Sequence, residues 1–207
     1  MELTGIILLC AECEHPDMNF DPAKTAVLIT DIQNGFCHPD GSLYAPGSES
    51  AVEPCVALTE MAHDAGAPVV FTRDVHPPEQ FEHTEYYDEF DRWGEHVLEG
   101  SWDAQLVSEL SVHEGDLEMV KHTYDAFFRT ELEGWLEAHG IRELLFAGTL
   151  ANVCVLHTSG SAALRDYRTV LVEDAIGYVE KQHKEYALEH AEWLYGEVIG
   201  LDEVSFD

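Results

Sequence analysis

Glu143-Leu144-Leu145-Phe146-Ala147-Gly148-Thr149-Leu150-Ala151-Asn152-Val153-Cys154 is the stretch on which the fold turns. A short apolar run ends on a glycine, a few small residues follow, and Cys154 opens an apolar segment that closes in small residues from Ser159 to Ala163. The pattern predicts a buried strand, a tight turn and the start of a helix. A thiol at that junction sits where backbone N–H groups converge and the helix dipole favours a thiolate. An acyl-transfer enzyme puts its nucleophile there, with an oxyanion hole from the same turn. Read alone, the segment also fits a packed core cysteine, because free cysteine is among the most buried residue types.

Outward from this unit, short β-branched runs alternate with amphipathic stretches. Strands are expected over Thr25–Thr30, Pro68–Thr72, Leu117–Val120, Thr169–Glu173 and near Glu203–Phe206. Helices are expected over Ser50–Ala65, which Gly66 closes, over Trp102–Leu110, over Glu131–His139, after Cys154 and over His183–Tyr195. The polar, aromatic segment from Asp74 to Gly100 has no helical or strand period. Near-continuous apolar strands alternating with helices imply an α/β fold, a mostly parallel sheet with helices on both faces. Ligands of such sheets gather at the carboxyl ends of the strands.

The chain of 207 residues fits one domain, read over residues 20–207. Residues 1–19 match nothing downstream and read as a loose N-terminal arm, or as sequence preceding a start at Met18. No apolar run approaches the roughly 20 residues of a membrane span. Ile6 to Cys10 is shorter than the apolar core of a secretion signal and has no basic segment before it, so a cytoplasmic protein without a membrane partner is expected. Ten basic residues stand against 41 acidic ones, net −31, spread along the whole chain. That balance repels nucleic acid and argues against such a partner. Self-repulsion on this scale is relieved by salt, so a halophilic cytosol is the expected setting. Five cysteines at irregular spacing do not form a disulfide framework, and Cys10-Ala11-Glu12-Cys13 has no second pair to complete a zinc site.

Functional residue types fall where the sheet rule puts them. Asp31 follows Val27-Leu28-Ile29-Thr30, Lys121 follows Leu117-Glu118-Met119-Val120, and Cys154 follows the opening stretch. Singly, Asp31 reads as a turn cap and Lys121 as a surface ion pair. Together they form a working set: a carboxylate to take the thiol proton, an ammonium to stabilise the thiolate, and the same acid to return the proton to a leaving amine. Lys121 is also one of only four lysines. A second group follows the next strand. Asp74-Val75-His76 puts two side chains on one face of an extended segment, and His96 comes in Trp93-Gly94-Glu95-His96. One carboxylate and two imidazoles suit Zn²⁺, Fe²⁺ or Mn²⁺, with His83 or Glu82 able to complete or orient the site. Phe36 and Trp93 offer two flat apolar surfaces for a planar ring.

These residues resemble the isochorismatase-like cysteine hydrolases, and among them the nicotinamidase (pyrazinamidase) group. The resemblance spans residues 24–175 and rests on Thr30-Asp31-Ile32-Gln33-Asn34-Gly35-Phe36, Thr72-Arg73-Asp74-Val75-His76-Pro77, Trp93-Gly94-Glu95-His96, Val120-Lys121 and Ala147 to Cys154. It implies a three-layer α/β sandwich and a triad of Asp31, Lys121 and Cys154. It also implies metal ligands Asp74, His76 and His96, with His83 as the nearest further histidine, for a divalent metal, zinc first. Phe36 and Trp93 would be walls around the substrate ring. A cis peptide is implied at Thr149-Leu150, aiming the N–H groups of Leu150 and Cys154 at an oxyanion. The chain departs from the group at Val97, where cysteine is usual, and at Ala151-Asn152-Val153. The implied reaction is deamidation of nicotinamide to nicotinate and ammonia through a thioester, by a homo-oligomer acting on a small amide. The alternatives are a ureido or carbamoyl amidohydrolase, whose relatives often lack the D-x-H and histidine set, and a non-catalytic ligand-binding module on the same fold.

Overall fold

The computed structural model describes residues 18–207. Strand β1 (Met18–Phe20) opens the described chain, followed by β2 (Thr25–Thr30), β3 (Val69–Asp74), β4 (Leu117–Lys121), β5 (Glu143–Gly148), β6 (Arg168–Ile176), β7 (Glu197–Ile199) and β8 (Val204–Phe206). β2 to β7 form one six-stranded sheet in the order β4-β3-β2-β5-β6-β7, every neighbouring pair parallel. β1 and β8 pair separately, also in parallel. Met18 and Asn19 therefore belong to the folded unit and not to the expected arm. Cys10 and Cys13 lie outside the described residues.

The central strand shows why the sheet is buried. Every residue of β2 is buried, and successive side chains enter opposite layers. Val27 and Ile29 pack with Leu58 and Ala62 of helix α3 (Val52–Ala65). Ala26 and Leu28 pack with Leu132 and Leu136 of helix α5 (Leu132–Ala138) and with Val155. The remaining helices are the short α1 (Asn34–Cys37), α2 (Pro46–Glu49) and α4 (Glu89–Trp93), with α6 (Leu156–Ala163) and α7 (Lys181–Leu194). The expected three-layer α/β arrangement is thus present. The strand order reverses between β2 and β5, which opens a crevice at their carboxyl ends.

Two local readings change. Trp102–Leu110 is not a helix; its backbone serves the loop after β2. Gln105 O accepts from Asn34 N–H at 2.9 Å, Asp103 O accepts from Gly35 N–H at 3.0 Å, and Val107 N–H donates to Ile32 O at 3.0 Å. These long-range bonds replace the i→i−4 ladder that the local pattern favours. The aperiodic segment after β3 contains α4, whose N-cap Asp88 accepts from Phe90 N–H at 2.9 Å and Asp91 N–H at 3.1 Å.

Candidate active site

Strand register brings the first group together. Thr30 of β2 is level with Thr72 of β3 and Gly148 of β5, and Asp74 is level with Lys121. Asp31 takes a left-handed conformation (φ 51°), one that aspartate adopts more readily than most residues. Thr72 fixes it twice: Thr72 O accepts from Asp31 N–H at 3.1 Å, and Thr72 Oγ1–H donates to Asp31 Oδ1 at 2.7 Å. Lys121 Nζ lies 2.7 Å from Asp31 Oδ2, 3.5 Å from Asp74 Oδ1 and 3.4 Å from Cys154 Sγ. Both Asp31 and Lys121 are fully buried, and Cys154 is 6% exposed.

Cys154 is set by the turn after β5. Gly148 has φ 106°, and a Cβ there would lie 2.0 Å from Thr30 O, so only glycine lets the two strands approach this closely. Thr149 N–H donates to Thr30 O at 2.8 Å, and the Thr149–Leu150 peptide is cis. The chain then makes one π-helical turn, Ala151–Val155, before α6. Such turns recur at functional sites. Ala151 N–H is committed to Gly177 O, and Val153 and Val155 N–H to Leu150 O.

The electrostatics separate the two carboxyls. Burial pushes the Asp31 pKa up; Lys121 opposes this and Asp74 reinforces it. Burial acts on Asp74 too, but Lys121 and His76 outweigh it and hold Asp74 below the usual range. Burial also works against the Lys121 charge, yet Asp31 and Asp74 keep its pKa well above the ordinary value. The Cys154 thiol is pushed well up by burial and, against Lys121, by the two carboxylates. The resting sulfur is therefore protonated, contrary to the thiolate expected from the turn alone. A nearby base must take its proton, and Asp31 is the carboxyl whose surroundings favour accepting one.

The second group is a buried donor cluster of His76, Glu89 and His96, whose ligand atoms all lie within 4.8 Å of one another. Glu89 Oε2 is 3.8 Å from His76 Nε2 and 3.7 Å from His96 Nε2. His76 Nδ1–H donates to Gln80 Oε1 at 3.0 Å and His96 Nδ1–H to Gly94 O at 2.7 Å, which turns both Nε2 lone pairs inward. His76 Nε2 is buried with no hydrogen-bond partner. Burial disfavours charge on His76, but Asp74, Gln80 and Glu89 outweigh it and raise its pKa, so the field here attracts positive charge. The two imidazoles and carboxylate fit a divalent cation.

Of the expected ligands, His76 and His96 meet. Asp74 Oδ2 lies 3.5 Å from His76 Nε2 and stands between that cluster and Lys121. His83 and Glu82 are exposed and outside the cluster, because turns at Pro77–Gln80, Glu79–Glu82 and Phe81–Thr84 face them outward. Glu89 takes the place offered to His83. Its only signal in the sequence is an aromatic setting, Tyr86, Tyr87 and Phe90, amid many other acids. Phe36 is nearly buried on α1 after Asp31, whereas Trp93 at the end of α4 is 54% exposed, so only one of the two expected ring walls is sealed. Phe81 and Phe90 are the rings packed on the imidazoles, with centroids 5.3 and 5.6 Å from His76.

Residues 25–203 match the model of the isochorismatase domain. Ureidoacrylate amidohydrolase RutB of Caulobacter segnis is 29% identical over 191 residues, which cover 83% of this chain and 79% of that protein. The crystal structure of N-carbamoylsarcosine amidase from Thermoplasma acidophilum is 30% identical with a TM-score of 0.74, covering 86% of this chain and 97% of that one. Nicotinamidase/pyrazinamidase PncA from Bacillus subtilis is 27% identical with a TM-score of 0.77, covering 84% and 98%.

Proposed function

The chain belongs to the isochorismatase family, and from that premise we propose that it is a cysteine amidohydrolase of small planar carboxamides, nicotinamide first among them. The meeting of Asp31, Lys121 and Cys154 around one ammonium carries the reaction type. In this reading Asp31 takes the proton from Cys154 Sγ while the Lys121 ammonium stabilises the thiolate. The sulfur bonds to the carbonyl carbon, and the oxyanion rests on the N–H groups of Leu150 and Cys154. As the C–N bond breaks, Asp31 passes its proton to the departing nitrogen, which leaves as ammonia. Water then attacks the thioester, Asp31 takes its proton, and the C–S bond breaks to return the thiol and release the acid.

The cluster of His76, Glu89 and His96, with Asp74 beside it, would hold a divalent metal, zinc before iron or manganese. When bound, such a cation supplies a Lewis-acidic point that orients a ring nitrogen or a water. That cluster favours the pyridine carboxamide, with Phe36 and Trp93 flanking its ring. A second reading is supported by two relatives, a ureidoacrylate and an N-carbamoylsarcosine amidohydrolase: a ureido or carbamoyl substrate cut by the same triad. Ammonia release from nicotinamide, pyrazinamide, ureidoacrylate and N-carbamoylsarcosine, compared in one assay, tests both. Fastest release from nicotinamide is expected; preference for a ureido substrate would replace the first reading with the second. Release that survives Cys154→Ala would remove both.

A further inference from the structure

Each donor of the cluster has a second polar atom, and each of those atoms is tied down. His76 is held through Nδ1 by Gln80, which in turn donates from Nε2 to His122 O at 2.8 Å. His96 is held through Nδ1 by Gly94 O. Glu89 is held through Oε1 by the hydroxyl of Tyr87, which donates to it. The first two ties end on backbone carbonyls. The third depends on one phenol hydroxyl.

We propose that Tyr87 is a positioning residue for a divalent cation, its hydroxyl fixing Glu89 so that Oε2 faces the Nε2 atoms of His76 and His96. This rests on the reading of the cluster as a metal centre. Three observations support the role. Glu89 is only 2% exposed, so the oxygen turned away from the imidazoles needs a donor from the protein. Asp88 caps α4 and fixes the backbone of Glu89, which leaves the carboxylate rotamer as the remaining freedom. The Tyr87 ring is itself wedged, meeting Phe81 and Tyr124 edge-on with centroids 6.0 Å apart in each case, although the residue is 45% exposed.

The same ring joins the two halves of the site. Tyr124 packs on His157 at 5.6 Å, and His157 Nδ1–H donates to Val153 O at 2.6 Å, next to Cys154. The segment that carries Glu89 is thereby braced against the turn that carries the thiol.

The test uses the full chain stripped of metal by chelator and titrated with Co²⁺, read by its visible d–d absorption, and with Zn²⁺ in competition. Tyr87→Phe keeps the ring and its packing and removes only the hydroxyl. Its metal-free form should stay folded and melt somewhat below the wild type, because Glu89 Oε1 loses its donor. It should bind both ions about 10- to 100-fold more weakly and show an altered Co²⁺ band. Unchanged affinity and spectrum in Tyr87→Phe, while His76→Ala loses binding, would overturn the role of Tyr87 and leave the metal centre standing. Binding by the wild type no tighter than by His76→Ala would overturn the metal centre and the role of Tyr87 with it.

Discussion

The ammonium of Lys121 stands 3.4 Å from the thiol of Cys154, across 33 positions of sequence, at the carboxyl ends of two strands that are not neighbours in the sheet. The same ammonium pairs with Asp31 at 2.7 Å and has Asp74 at 3.5 Å. One buried cation thus serves two carboxyls and a sulfur. Cys154→Ala removes the sulfur and leaves this ion network in place. It should lower ammonia release by at least about 10³-fold, the scale on which a lost nucleophile acts. Its melting temperature should stay near that of the wild type. Lys121→Met, in contrast, strands two buried carboxyls and should cost about 3–5 kcal/mol of stability in urea unfolding as well as activity.

Asp31 sets the acid limb of activity. Its pKa is raised chiefly by burial, so its proton-accepting form appears only above the usual carboxylate value of about 3.9. kcat/KM should therefore fall as the pH drops through a value higher than that. The stability sign is opposite. Folding raises this pKa, so the native state holds the Asp31 proton more tightly than the unfolded chain. That share of stability is fully present below the unfolded value and is lost as pH rises through the folded one. Urea midpoints and initial rates measured together from about pH 4 to 7 check both trends. An acid limb at the ordinary carboxylate value would remove Asp31 as the base.

Gly148→Ala tests the turn. Any Cβ would meet Thr30 O at 2.0 Å, a backbone atom that cannot swing aside, and φ is 106°. The variant should lose roughly 1–3 kcal/mol or more of stability, measured in urea, and its π-helical turn should shift Cys154 away from Lys121. Slower reaction of Cys154 with an alkylating agent would report that shift. Cys37, buried on α1 with its pKa pushed up to about 12 by burial, gives an internal reference outside this turn.

The net charge of −31 predicts a salt-dependent fold. The screening length falls from about 10 Å at 0.1 M to about 3 Å at 1 M salt. Melting temperature should climb over that range as repulsion among surface carboxylates is damped. The buried pair of Lys121 and Asp31 is screened far less, so Lys121→Met should lose the same stability at both salt levels. A melting temperature indifferent to salt would contradict the proposed halophilic setting.

What could be read in the chain follows the range of the forces involved. Strands such as Thr25–Thr30, buried on both faces, are local apolar runs, and the strand-end rule then singles out Asp31, Lys121 and Cys154 as candidates. The fold brings Asp31 and Cys154 within 3.4 Å of the Lys121 ammonium. Trp102–Leu110 has a helical pattern, yet it is held in a run of turns by bonds to Ile32, Asn34 and Gly35, partners far away in sequence. Glu89 was hidden for a similar reason. It enters the cluster because an Asp88 cap and a Tyr87 hydroxyl fix a short helix, while His83, nearer the D-x-H pair in sequence, is carried outward by successive turns.

That contrast between Glu89 and His83 makes the metal prediction sharp. Protein purified without chelator should carry a divalent metal, and His76→Ala, His96→Ala and Glu89→Gln should each lose most of it by elemental analysis. His83→Ala should retain it, because its ring is exposed and outside the donor cluster. Asp74→Asn should weaken metal binding and also destabilise the fold, since Asp74 stands 3.5 Å from both His76 Nε2 and Lys121 Nζ and so belongs to both networks. Chelation should slow ammonia release from nicotinamide, and added Zn²⁺ or Mn²⁺ should restore it. If His83→Ala empties the protein while Glu89→Gln stays loaded, the donor set must be drawn around the histidine that the turns now hold in solvent.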